Sequence, residues 1–163
     1  MNPEFLPDCS NCAALCCLAL AFDADEMFGH DKPAGLPCHN LDGFSCSIHA
    51  DLADRGYRGC VAFDCLGAGQ RVTALFSEDW QKRPKLTAPM MEAFRQMRAV
   101  QSLHQMLLTA GALPLPDDTR AELRDRIADL EVAKTELAAL ARFDPAEAKR
   151  WLKSLAPLLR PAG

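Results

Sequence analysis

Apolar and polar positions change their rhythm about halfway along the chain. From Pro89 to Ala110, Met90, Phe94, Met97, Leu103, Met106 and Leu107 supply one broad apolar face at helical spacing. Proline in the first turn and Gly111 after the last residue give this helix a start and a stop. Leu113-Pro114-Leu115-Pro116 is a stiff connector. Asp117 or Asp118 then caps a second helix, predicted to run to about Phe143, in which Leu123, Ile127, Leu130, Leu137 and Ala141 form an apolar stripe that Lys134 interrupts. Asp144-Pro145 reads as a cap and first turn, opening a last amphipathic helix with Trp151, Leu152 and Leu155 that stops near Pro157. The two long helices are expected to pack as a hairpin.

The first half has no such rhythm. Cys9 to Ala21 reads as a helix capped by Asp8 or Ser10, because alanine and leucine dominate it. Phe22 to Leu41 contains Gly29, Pro33, Gly35 and Pro37 and is predicted to be a loop. Ser47 to Leu52 is a short helix ending near Gly56, and Cys60 to Cys65 is a short strand or turn. Gly67-Ala68-Gly69 follows no convincing strand, so it reads as a hinge and not a phosphate loop. The expected fold is mainly α: a small irregular cysteine-rich metal-binding domain over 1–73, followed by a helical hairpin or bundle over 74–163. No internal repeat is visible.

Composition sharpens this division. Of the 163 residues eight are cysteine, and none follows Cys65. A net charge of −4 gives no basic footprint for nucleic acid. No stretch reaches the ~18 apolar residues that a membrane span needs. Met1 to Phe5 places no positive charge ahead of an apolar run, so the expected location is the cytoplasm. In that reducing setting, dense cysteines point to metal chemistry rather than structural disulfides.

The spacing is Cys9-x-x-Cys12-x-x-x-Cys16-Cys17, then Cys38, Cys46, Cys60 and Cys65. Thiolates are soft, charged donors, and four of them complete a tetrahedral shell or ligate a cubane cluster. On one helix, at ~100° per residue, Cys9, Cys12 and Cys16 would share a face. Cys17 would point elsewhere, toward a second site or into the core. A fourth ligand for the first three would come from a distant loop.

Cys9-x2-Cys12-x3-Cys16-Cys17, Pro37-Cys38-His39-Asn40-Leu41, Gly43-Phe44-Ser45-Cys46-Ser47-Ile48-His49 and Arg58-Gly59-Cys60-x4-Cys65 together resemble the YkgJ-type cysteine-cluster family. That resemblance implies a zinc- or iron-chelating domain over residues 9 to 65, using all eight cysteines. Similar modules stand at the N-terminus of some bacterial pentapeptide-repeat proteins, and a related cluster occurs in a flagellin lysine methylase with an iron–sulfur centre. Cys12-Ala13-Ala14-Leu15-Cys16 lacks a glycine frequent in that family, and no pentapeptide repeat follows.

Irregular spacing over several loops favours an iron–sulfur cluster of the 4Fe–4S type, with zinc as the alternative. His39 and His49 stand close to cysteines but are expected to face solvent or lie beside the site. His104 is expected to be a packed core histidine. The methionines of Pro89 to Ala110 read as core or partner groove. No serine–histidine–acid or cysteine–histidine catalytic set can be assigned. Three functions fit: a cluster protein in electron transfer, redox sensing or partner maturation; a metal-dependent enzyme with an open coordination position; and a zinc-stapled interaction module. In each, the C-terminal helices are the expected surface for a protein partner or for self-association.

Overall fold

The computed structural model describes residues 2–159. The chain is mainly helical, with seven α-helices and one two-stranded antiparallel sheet among the described residues. It divides into two compact units, Met1–Arg95 and Gln96–Gly163.

The second unit follows the apolar periodicity. Helix α4, Thr87–Ala110, enters it from the first unit and carries Pro89 in its first turn. Within the second unit its Val100, Leu103 and Leu107 are buried. The chain reverses at Gly111 and returns as α5, Asp117–Ala133. Leu123 of α5 comes back beside Gly111, and Lys134 beside Gln101 and His104, so the two helices form the expected antiparallel hairpin. Leu123 and Leu130 are buried, while Ile127 is half-buried.

The second helix is not continuous to Phe143. It stops at Ala133, and α6 spans Leu137–Arg142 after an extended Glu136. Two polar side chains account for the break. The Lys134 ammonium turns inward to the Gln101 amide oxygen at 3.3 Å and His104 Nδ1 at 3.2 Å. The Thr135 hydroxyl donates to the Val132 carbonyl at 2.8 Å, occupying a helix acceptor. Glu131 meets Lys134 at 2.9 Å and His104 Nε2 at 3.3 Å, so His104 is a core histidine inside a polar cluster. Asp144 caps α7, Pro145–Ser154, by accepting from the Ala146 amide at 2.8 Å.

The first unit corrects four local expectations. Cys9 to Ala21 is not one helix: a single 3₁₀ turn covers Cys9–Asn11, and α1 covers only Leu15–Ala19. Between them Ala14 takes a left-handed conformation with φ 53°, which a helix cannot pass through. Partners distant in sequence hold it there. The Ala13 amide donates to Thr73 Oγ1 at 2.9 Å, and its carbonyl accepts from Trp80 Nε1 at 2.7 Å. Cys60 lies in α2, Arg58–Ala62, rather than in a strand or turn. Gly67 is no hinge: it is the left-handed cap of α3, Ala68–Leu75, whose Ala68, Gly69 and Val72 are buried.

Phe22 to Leu41 is a loop, as its glycines and prolines predict. A bridge between Phe22 and Lys32 closes it, with bonds of 2.9 and 2.7 Å. Strands β1, Leu41–Asp42, and β2, Ser45–Cys46, pair in the register Leu41↔Cys46 around Gly43 at φ 56°. A 3₁₀ turn at His49–Asp51 stands where a short helix is expected. Phe5, Leu15, Leu18, Ala68, Val72, Trp80 and Met90 form this unit's core.

Candidate metal centre

All eight cysteines are free thiols in the first unit; Cys9 is exposed and the other seven are half-buried. They reach one region from five segments: the Cys9–Asn11 turn with Cys12, α1, the β hairpin with its approach, α2, and the lead into α3.

One set gathers at the start of α3. The Cys9–Asn11 turn packs against that helix, and Asp8 fixes it by accepting from the Ser10 amide, the Ser10 hydroxyl and the Asn11 side chain. Those bonds hold the Asp8 carboxyl below its ordinary range. Cys12 lies against Gly69 so closely that a Cβ there would stand 2.6 Å from its sulfur. Cys65 precedes α3 and accepts from the Ala68 amide at 3.0 Å. Burial raises the Cys12 thiol to about 11, and the charges of Cys16 and Cys65 add to that. Cys9 is raised by burial and by the same two neighbours.

A second set surrounds the other side of α1. The Cys38 amide donates to the Cys17 carbonyl at 3.0 Å, and the Leu41 amide donates to the Cys38 carbonyl at 3.0 Å. Leu41 pairs with Cys46 across the hairpin. The Cys60 amide donates to the Tyr57 carbonyl, and Tyr57 Oη lies 3.3 Å from Nε2 of His39, the residue after Cys38. The Cys17 thiol is raised, first by its bond to Cys16 and by burial, then by the charges of Cys16, Cys38 and Cys46. Burial raises Cys60 to about 11, with Cys38, Cys16 and Cys46 adding to it.

The two sets meet at α1, where the Cys16 and Cys17 sulfurs stand 4.0 Å apart. Their shared hydrogen bond holds Cys16 down, to about 7, and raises Cys17.

Lys32 is a part of this region that sequence reading missed. It is 3 % exposed, and its ammonium donates to the carbonyls of Leu18 at 3.1 Å, Leu20 at 2.5 Å and Pro33 at 3.3 Å. Burial lowers its pKa, while the charges of Cys38, Cys17, Cys16 and Cys60 oppose that shift. A cation locked beside four thiols offsets negative charge that accumulates on them. No local pattern marks Lys32, between exposed Asp31 and Pro33, as buried; the Phe22 bridge puts it there.

His39 and His49 are exposed. His39 stacks on His30 at 3.9 Å between ring centroids, and Tyr57 Oη lies 3.1 Å from His30 Nδ1. Phe28, stacked on Phe22, covers Gly59 so tightly that no Cβ fits. A cleft of about 470 Å³ opens nearby, its walls including Leu18 and Pro37, the chain neighbours of Cys17 and Cys38. Among the described residues no helix is long and apolar enough to cross a membrane.

No family model matches the chain, and no solved structure matches it. Over 164 aligned residues it is 36% identical to the protein YybG of Bacillus subtilis (strain 168), which is described as uncharacterized. The alignment takes in 94% of this chain and 58% of that protein, so the chain spans little more than half of its relative's length.

Proposed function

We propose that the first unit is a thiolate metal-binding module of the YkgJ type, holding an iron–sulfur cluster and serving electron transfer, redox sensing or maturation of a partner protein. The observation that carries this reading is the presence of eight free thiols, brought from five segments of irregular chain around a five-residue helix that carries two of them. The donor chemistry fits: soft thiols, a lowered thiol at Cys16 and a buried counter-cation at Lys32. Cys9, Cys12, Cys16, Cys17, Cys38, Cys46, Cys60 and Cys65 are the proposed ligands. A bound cluster supplies one-electron chemistry; the chain orients the thiols, limits their exposure to solvent and balances their charge. In this reading the C-terminal helices are where a protein partner or second copy docks.

Zinc is the second reading. The Cys9–Cys12 pair has the knuckle spacing of structural zinc sites, and the core around the thiols is small. Purification without oxygen separates the two. A brown protein with a broad charge-transfer absorption, containing iron and acid-labile sulfide in equal amounts, is the expected outcome. A colourless protein with stoichiometric zinc leaves only the zinc-stapled module. A protein that binds neither, with all eight thiols open to alkylation, overturns metal binding itself.

A further inference from the structure

We infer that the eight thiols are divided between two separate four-thiolate centres, one made by Cys9, Cys12, Cys16 and Cys65 and the other by Cys17, Cys38, Cys46 and Cys60, with the Cys16–Cys17 peptide bond as the dividing line. This rests on the metal-binding reading above and specifies it.

Three observations lead to the division. First, each set is tied to its own scaffold. Cys9, Cys12 and Cys65 belong to the start of α3, through the packed 3₁₀ turn, the Gly69 approach and the Ala68 amide. Cys17, Cys38, Cys46 and Cys60 are joined by the Cys38–Cys17 bond, the Leu41–Cys46 pairing and the Tyr57–His39 contact.

Second, Cys16 and Cys17 are consecutive residues of a true helix, so their side chains leave it ~100° apart. Two centres, one on each side of the doublet, take one each.

Third, the count closes. A tetrahedral ion or a cubane cluster is saturated by four thiolates. The second set reaches four without Cys16, and the first reaches four only with it.

The Cys16 and Cys17 sulfurs stand 4.0 Å apart, so the two centres lie side by side. The second centre lies on the Lys32 side, because Lys32 closes the loop that leads from Cys17 to Cys38 and caps the carbonyls at the end of α1.

Cobalt(II) tests the assignment on the full-length protein, because its ligand-field and sulfur-to-metal bands report the number of coordinating thiolates. The wild-type chain should bind two equivalents, each with the spectrum of a four-thiolate tetrahedral site. Cys12→Ser and Cys46→Ser should each retain one such equivalent, halving the four-thiolate signal, and the double variant should retain none. A second measurement needs no variant: alkylation of wild-type protein carrying one cobalt, read by tandem mass spectrometry, should show thiols protected in the two stated groups of four. One equivalent at saturation, or protection that mixes the groups, overturns the division while leaving metal binding intact. No thiolate-bound cobalt at all overturns both.

Discussion

At the scale of single residues, Lys32 is the side chain on which the thiol region leans most heavily without supplying a ligand. Its three carbonyl partners end α1 and open the following segment, and four thiols share its surroundings. Replacing it with methionine keeps the length and removes both the donors and the charge. A single hydrogen bond to a charged group contributes about 1.5–3 kcal/mol, so Lys32→Met, which removes three, should lower the stability of the first unit by at least that much. It should also reduce the metal retained after purification. Chemical denaturation together with metal analysis checks both, and an unchanged midpoint with full metal content would remove Lys32 from the site. The cysteines themselves were legible in the sequence, because their number and spacing survive any error about the backbone. Lys32 was not, because burial of a lone lysine depends on a bridge and on helix-end carbonyls that no local pattern announces.

At the scale of elements, the legible ones are those whose boundaries are set by their own residues. Gly111 ends α4, whose first turn holds Pro89, and Asp144-Pro145 begins α7. The illegible ones are set by distant partners. Cys9 to Ala21 has helical composition, yet Trp80 and Thr73 take the backbone groups of Ala13 and divide it. The helical face expected for Cys9, Cys12 and Cys16 is therefore absent: Cys9 lies in a 3₁₀ turn, Cys12 follows it, and only Cys16 is in α1. The turn of chain at Ala14 and the approach of Gly69 position Cys12. Trp80→Phe tests this device, since it keeps an aromatic ring in place and removes the donor to a buried carbonyl together with the pyrrole ring. The loss should cost about 1–3 kcal/mol and loosen the Cys9–Cys12 segment. Hydrogen exchange of the amides from Cys9 to Leu15 measures it; protection equal to the wild type would show that the indole bond does not hold the break.

At the scale of the molecule, the first unit contains all the thiols and much irregular chain, with a core of few large side chains. Small cores of that kind are marginal unless something staples them. If metal supplies that staple, its binding energy is also folding energy. Strong chelation should then open the segment before Thr87 to protease while fragments beginning in α4 persist, as gel bands and mass spectra would reveal. Equal resistance of both regions after verified metal removal would separate folding from metal in this chain.

The border between the two units, at Arg95 and Gln96, lies inside the unbroken helix Thr87–Ala110. Met90, Ala93 and Phe94 on one side of that border are buried, and so are Met97 and Val100 on the other. A gene boundary placed there would fall inside one helix and cut its backbone hydrogen bonds. A recombinant that took either unit would therefore break Thr87–Ala110 unless it carried that helix along.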